Sequence, residues 1–118
     1  MSSGSLGFRV LIVVVWIIDA EHWPRALLRA ELIERGLDAV GYETVRDAID
    51  SLPSRPPDAI VVDVRGQPMP QVERLLRIGV PVIVVAGMQE LNDLPPEGWA
   101  AVLRRPVSIG EIADRIGI

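Results

Sequence analysis

In the stretch Val13-Val14-Val15-Trp16-Ile17-Ile18-Asp19, an unbroken apolar run ends at a carboxylate, and Ala59-Ile60-Val61-Val62-Asp63 repeats the plan. Neither run shows the alternation of a half-exposed strand. Continuous β-branched runs of this length are typical of strands buried on both faces, as in parallel sheets. Because ligands of open parallel sheets bind beyond the carboxyl ends of the strands, the two aspartates are candidates for a cation or phosphoryl site.

The composition is that of an ordinary globular domain. A chain of 118 residues is long enough for one domain with a full core, and its 49% apolar and 24% charged residues are a typical mixture. The net charge of −4 argues against direct nucleic-acid binding, which requires a basic surface. The absence of cysteine excludes disulfides and thiol chemistry, and the single histidine, His22, excludes a histidine cluster. All basic residues are arginines, so functions that need a lysine amine are excluded as well.

The ends of the chain and its apolar runs give no sign of membrane targeting. The run 10–18 is shorter than the roughly 20 residues that a membrane-spanning helix needs. A signal peptide is also not expected, because a strong basic segment and a cleavage site are missing. We therefore expect a cytoplasmic protein with no membrane contact. Residues 1–8 are expected to be a flexible N-terminus or a cloning remnant, and residues 9–118 a single domain.

Five apolar runs alternate with five helical patterns along the chain. Two helices are preceded by capping patterns, Thr44-x-x-Asp47 and Ser108-x-x-Glu111. The first helix, which contains Pro24 and ends before Gly36, is expected to bury Leu27, Leu28, Leu32 and Ile33. The predicted strands are 13–18, 37–40, 59–63, 80–85 and 100–103, and the predicted helices are 24–35, 44–52, a segment ending near 78, one or two turns within 88–98, and 109–118.

This alternation predicts an α/β fold, a flavodoxin-like (βα)5 three-layer sandwich with a parallel sheet of order 2-1-3-4-5. Strands 1 and 3 are neighbours in that order, so Asp19 and Asp63 would lie side by side. Two adjacent carboxylates repel each other, and Mg²⁺ is a suitable counter-charge. The alternative is that each aspartate only caps its own following turn, and the sequence leaves both interpretations open.

The tryptophans and the histidine are expected to have structural roles. Trp16 and Trp23 are expected to pack against the core, and His22 to begin a helix without acting as a ligand or base. Trp99 follows Gly98 and either closes a loop onto the core or lies on an exposed partner surface.

Over residues 9–117 the chain resembles the receiver domain of bacterial response regulators. No single motif is specific, but their order and spacing together are. The segments that carry the resemblance are Ile18-Asp19-Ala20-Glu21, Leu32-Ile33-Glu34-Arg35-Gly36, Pro57-Asp58-Ala59-Ile60-Val61-Val62-Asp63, Pro81-Val82-Ile83-Val84-Val85 and Leu103-Arg104-Arg105-Pro106.

The resemblance implies a phosphorelay site at the ends of the strands. Asp63 stands at the position of the phosphoacceptor, which receives a phosphoryl group from a sensor histidine kinase. Asp19, Asp63 and the backbone carbonyl of Arg65 would hold Mg²⁺, with Glu21 as a weaker contributor.

Four positions depart from the pattern of that family. Ala20 replaces the second acid of the pair, and Ala86 stands at the position of the switch threonine or serine. Val102 replaces the aromatic residue, and Arg105 stands at the lysine position. We expect weakened Mg²⁺ binding and weak or absent phosphorylation, because ligand charge attracts the metal and Ala86 donates no hydrogen bond. Either Arg105 or Arg104 could pair with Asp63, or both could face solvent.

Three functional hypotheses follow. The first is an atypical receiver domain of a two-component system, not an enzyme, which acts through contacts with a sensor histidine kinase or another signalling protein. The second is a working phosphoacceptor that uses Asp63 and Mg²⁺. The third is a small α/β enzyme or nucleotide-binding domain, which the missing glycine-rich and Walker motifs argue against. A homodimer is left open.

Overall fold

Five strands alternate with five helices in this computed structural model, which describes residues 13–116. Each strand is followed by a helix, as the apolar runs predict. The elements are β1 (Val14–Ile18), α1 (His22–Glu34), β2 (Asp38–Tyr42), α2 (Val45–Asp50), β3 (Ala59–Asp63), α3 (Met69–Arg74) with a 3₁₀ turn (Leu75–Arg77), β4 (Val82–Ala86), α4 (Met88–Leu91), β5 (Ala101–Arg104) and α5 (Ile109–Asp114).

The strands form one parallel sheet of order β2-β1-β3-β4-β5, which confirms the predicted topology. In the register of β1 and β3, Val15 is opposite Ala59 and Ile18 is opposite Val62. The two neighbouring strands therefore finish at the same edge of the sheet. Their final carboxylates meet there, as the sequence predicts.

The sheet separates two hydrophobic cores, because successive side chains of a strand point to opposite faces. One core joins β1, β3 and β4 to α1 and α5, and Ile17, Leu28 and Ile112 lie within it. The other lies under α2 and α3 and contains Trp16, which is fully buried and whose Nε1 donates a hydrogen bond of 2.9 Å to the Arg55 carbonyl. Continuous apolar strands are thus explained by burial on both faces.

The predicted helix caps are confirmed. The hydroxyl oxygens of Thr44 and Ser108 accept hydrogen bonds of 3.1 Å from the backbone N–H groups of Asp47 and Glu111, respectively. Trp99 is half-buried against the core and donates from Nε1 to the Pro95 carbonyl at 2.8 Å. It therefore closes a loop, the first of the two interpretations of this residue.

The prediction that Trp23, Leu27 and Ile33 pack against the core is wrong. Trp23 is 72% exposed, Leu27 56% and Ile33 45%. Helical geometry turns each residue by about 100°, so the buried pair Leu28 and Leu32 leaves these side chains on other faces of α1. Apolar residues lie on more than one face of this helix, and only the side that contacts the sheet and α5 is covered.

Several predicted boundaries shift by one or two residues. β2 lies at Asp38–Tyr42, not at 37–40, while β4 and β5 each extend one residue further and end at Ala86 and Arg104. Residues 1–12 and 117–118, including the predicted N-terminal segment 1–8, lie outside the described residues. Among the helices of residues 13–116, none has the length and apolar character required to cross a bilayer.

Candidate functional site

Two buried aspartates lie at the carboxyl edge of the sheet. Asp63 is the last residue of β3 and is 7% exposed, and Asp19 directly follows β1 and is 6% exposed. Oδ1 of Asp19 accepts a hydrogen bond of 2.8 Å from the Glu21 N–H, and Oδ1 of Asp63 accepts one of 2.9 Å from the Arg65 N–H. Each aspartate therefore caps its own turn, and the two also share a site.

Arg105 faces Asp63, and Arg104 does not. Nη1 of Arg105 lies 2.5 Å from Oδ1 of Asp63, while its Nη2 lies 2.5 Å from Oε1 of Glu90. The backbone N–H of Arg105 donates to the Ala86 carbonyl at 2.8 Å, which fixes the residue just beyond β5. Arg104, one residue earlier, turns outward, and its Nη1 lies 3.5 Å from the Met88 sulfur at an exposed position.

The side chain of Arg65 fills the space between the aspartates. Its Nη2 lies 3.4 Å from Oδ2 of Asp63 and 3.5 Å from Oδ1 of Asp19. Its Nε is buried and lies 3.3 Å from Oε2 of Glu21. This nitrogen makes no hydrogen bond to any of residues 13–116. The sequence predicted a role for the backbone carbonyl of Arg65 only, because nothing local to a loop arginine shows where a flexible side chain turns.

Glu90 is a site residue that the sequence analysis missed. It lies in the first turn of α4, and Oε1 accepts from the Gly87 N–H at 2.6 Å as well as from Arg105. The spacing Gly87-x-x-Glu90 is typical of a helix N-terminus that follows a strand, and it could have predicted that Glu90 lies near the end of β4. It was overlooked because glycine offers no side-chain oxygen for the usual capping box.

Burial and charge shift the pKa of three of these groups. Burial raises the pKa of Asp19, and the nearby Asp63 adds to this against the opposing Glu21 N–H and Arg65. Burial acts to raise the pKa of Glu90 too, but the Gly87 N–H and Arg105 outweigh it, so this pKa is lowered. The Arg105 pKa is raised, since Asp63 and Glu90 together outweigh the effect of burial.

No family model matches the chain, and no curated protein matches it in sequence. A response regulator receiver protein from Pseudomonas putida is similar in structure, with a TM-score of 0.79 and 24% identity over 92% of this chain and 98% of that chain. The chain has the receiver-domain fold.

Two further solved structures agree. A response regulator receiver domain protein from Clostridium thermocellum has a TM-score of 0.75 and 17% identity, covering 89% of this chain and 91% of that chain. The signal receiver domain of a modulated diguanylate cyclase from Desulfovibrio desulfuricans G20 has a TM-score of 0.73 and 20% identity over 89% and 90%. The TM-scores establish the receiver fold, and at identities below 25% they establish the fold alone.

The other predicted positions lie apart from the arginine contacts. Ala86 ends β4 and is fully buried, and its methyl side chain supplies no hydroxyl there. Val102 is exposed on β5. His22 begins α1, as predicted, and its ring contacts Trp23 edge-on at 5.2 Å.

The resemblance to receiver domains implies Mg²⁺ at Asp19 and Asp63, and the arrangement of donors tests this. Mg²⁺ is usually held in proteins by one or two carboxylates, and waters complete its oxygen ligands. Within residues 13–116, no third Asp, Glu, His or Cys side chain joins Asp19 and Asp63 in such a group, so these two would be the side-chain ligands. The nitrogens of Arg65 and Arg105 contact the same carboxylates. Because the two guanidinium groups already neutralise the carboxylates that would hold Mg²⁺, the site as it stands is a poor fit for the cation.

Proposed function

We propose that this chain is an atypical receiver domain of a bacterial two-component phosphorelay, whose protein contacts do not depend on phosphorylation of Asp63. The observation that carries the proposal is the contact of Arg105 with both Asp63 and Glu90, each at 2.5 Å. A positive charge thus already sits on the carboxylate that would accept the phosphoryl group.

The chemistry of arginine supports a lasting contact. The planar guanidinium presents several N–H donors in a fixed fork, and it remains charged at every physiological pH. Its two terminal nitrogens contact two different carboxylates here, and all three side chains are at most 30% exposed. A compact lysine ammonium has no such fork, so Arg105 is not an equivalent replacement at this position.

Both oxygens of Asp63 already contact N–H donors, which makes them poor nucleophiles. Oδ1 accepts from the Arg65 N–H and from Arg105, and Oδ2 faces the Arg65 guanidinium at 3.4 Å. A carboxylate neutralised on both sides is a weaker nucleophile than a free one. A phosphoryl group on Asp63 would also find no hydroxyl at Ala86 to contact.

The exposed side of α1 supports a role in protein contacts. Trp23 and Leu27 lie one turn apart on α1 and both present apolar area to solvent, and exposed apolar patches mark interaction surfaces. The partner in the proposal is a sensor histidine kinase or another signalling protein, met in the cytoplasm. The domain itself has no enzymatic activity in this proposal.

The test is chemical labelling of Asp63. Purified protein is incubated with acetyl phosphate and MgCl₂, or with beryllofluoride and MgCl₂, and followed by intact mass spectrometry and ¹⁹F NMR. We expect no stable adduct on the wild-type protein. A stable adduct that is lost in Asp63→Asn would overturn the proposal and favour the working phosphoacceptor.

A matched set of variants tests the role of the arginines. We expect Arg65→Ala/Arg105→Lys to label at least about tenfold more than the wild type, because both contacts to Asp63 are removed or weakened. Arg104→Lys, whose side chain points outward, should label like the wild type. A folded double variant that gains no labelling would show that the arginines do not silence Asp63.

A further inference from the structure

A cavity of about 220 Å³ lies directly beneath the two aspartates, on the side of the sheet that faces α1 and α5. Its floor is apolar and consists of Ile17, Leu28, Val61, Val85 and Ile112. An apolar cavity of about 150 Å³ is large enough to hold benzene. The volume here therefore accommodates an aromatic ring with a short chain attached.

The mouth of the cavity is lined by two aspartates and two arginines, and the two glutamates that contact these arginines give the surroundings an excess of negative charge. Carboxylates and guanidinium groups either line the mouth or contact the residues that line it: Asp19, Glu21, Asp63, Glu90, Arg65 and Arg105. Arg105 is fully engaged with two of the carboxylates at 2.5 Å. An anionic ligand would have to compete for it against both, whereas a cationic ligand gains from the excess negative charge.

One carboxylate at the mouth has spare capacity. Asp19 is 6% exposed and its Oδ1 accepts from the Glu21 N–H, but no hydrogen bond among residues 13–116 reaches its Oδ2. Burial disfavours the charged form of this carboxylate and raises its pKa, and a donor that reached Oδ2 would stabilise the charged form. Asp19 also lines the cavity, so a donor in the cavity could reach it.

A positively charged nitrogen already occupies the gap between the carboxylates, but at long range. Nη2 of Arg65 lies 3.5 Å from Asp19 and 3.4 Å from Asp63, whereas charged hydrogen bonds of this type are about 2.8 Å long. The third contact of Arg65, from Nε to Glu21, is not a hydrogen bond. The structure thus marks a position for a cationic nitrogen that Arg65 fills poorly.

We propose that this cavity binds a small amphiphilic amine. Its apolar body packs against Ile17, Leu28 and Val85, and its primary ammonium takes the place of the Arg65 Nη2 between Asp19 and Asp63. The ammonium is compact enough to approach both carboxylates closely, which the guanidinium fork on its fixed loop does not do. The site goes beyond the proposed signalling function, since a receiver that is insensitive to phosphorylation would here respond to a small molecule.

The test uses 2-phenylethylamine as the probe, with 2-phenylethanol and phenylacetate as neutral and anionic counterparts. Binding to the full chain is measured by calorimetry and by amide NMR shifts of cavity residues. We expect the amine to bind at least about tenfold more tightly than the alcohol, and phenylacetate not to bind at up to about 10 mM. Equal affinities for amine and alcohol, or no amine binding at that concentration, would overturn the proposal.

Three variants are expected to weaken amine binding, to tighten it and to leave it unchanged. Asp19→Asn should weaken amine binding at least about tenfold, because the isosteric amide keeps the Glu21 contact and loses the charge. Arg65→Ala should tighten it several-fold by removing the competing nitrogen. Asp50→Asn, an exposed carboxylate on α2, should change nothing. No effect of Asp19→Asn, or weaker binding in Arg65→Ala, would contradict the proposed position of the ammonium.

Two further experiments test whether the amine binds in the cavity and whether Mg²⁺ produces the same effect. Ile112→Phe fills the floor and should abolish amine binding while leaving the charged groups in place; retained binding would contradict the cavity as the site. Titration with MgCl₂ alone should leave the shifts of Leu28 and Val85 unchanged, and a metal effect equal to that of the amine would overturn the proposal. The labelling of Asp63 is measured separately, so failure here leaves the proposed function standing.

Discussion

The charged residues at the edge of the sheet divide into a tight pair of contacts and a loose set. Arg105 holds Asp63 and Glu90 at 2.5 Å, whereas Arg65 reaches Asp19, Glu21 and Asp63 only at 3.3–3.5 Å. The tight contacts neutralise Asp63. The loose ones leave room for another cation. Two arginines on the same carboxylate therefore have different consequences.

Glu90 gives the tight contacts a measurable pH dependence. Its pKa is lowered from the ordinary value of 4.5, so folding favours its ionised form. The stability that it contributes is complete above 4.5 and is lost as the pH falls through the lowered value in the folded protein. We expect Glu90→Gln to lower the free energy of unfolding by about 1 kcal/mol at pH 7.

The measurement is urea unfolding of both proteins from pH 7 downward. The difference between wild type and Glu90→Gln should shrink as the pH falls below 4.5 and vanish once Glu90 is protonated in both states. Glu97→Gln, at an exposed loop position, serves as control and should be close to the wild type at every pH. A difference that is constant with pH would show that Glu90 does not act through its charge.

The start of α4 is the element that brings Glu90 to the site. Gly87 has φ −84° and ψ 171°, extended backbone that any residue adopts, so its glycine is not required by conformation. A Cβ at this position would lie 3.2 Å from Nη2 of Arg105 and 3.3 Å from Oε1 of Glu90. The small residue keeps the space between strand and helix open for the ion pair.

We expect Gly87→Ala to destabilise the protein by about 1 kcal/mol, because the added methyl group crowds both partners of the ion pair. Gly110→Ala is the matched control. It lies in α5, where the nearest atom to an added Cβ is 4.0 Å away, and alanine should stabilise that helix by about 0.5–1 kcal/mol. Urea unfolding compares the two, and equal signs for both variants would contradict the crowding at Gly87.

For the molecule as a whole, the two cores on either side of the sheet carry the stability, and α1 contributes through one face only. Leu32 is fully buried, while Leu27 on the same helix is 56% exposed. We expect Leu32→Ala to lower the free energy of unfolding by about 3 kcal/mol and Leu27→Ala to change it by less than about 0.5 kcal/mol. The fluorescence of buried Trp16 follows unfolding in both. Similar losses would mean that α1 packs as the sequence first suggested.

The topology could be predicted from the sequence because burial on both faces leaves an unmistakable apolar run. The positions of Asp19 and Asp63 followed, since they are backbone consequences of where β1 and β3 end. The side chain of Arg65 and the contact of Glu90 could not be predicted in the same way. Both depend on how flexible side chains cross between segments that are distant in the chain.

The face of α1 was mistaken for a related reason. Apolar residues lie on more than one side of this helix, so periodicity alone did not distinguish Leu28 and Leu32 from Leu27 and Ile33. The sheet covers one side only. Choosing that side requires knowing the angle at which the helix meets the sheet, which the sequence does not state.

The hydrogen bond from Gly87 to Glu90 makes one amide proton a natural sensor. The Gly87 N–H donates to Oε1 of Glu90 at 2.6 Å, and Arg105 holds the same oxygen in place. Solvent exchange of this proton requires the carboxylate to move away. Anything that moves Arg105 away from Glu90 will speed this exchange. The amide resonance of Gly87 therefore reports whether the contact between Arg105 and Glu90 is intact, without any chemical modification of the domain.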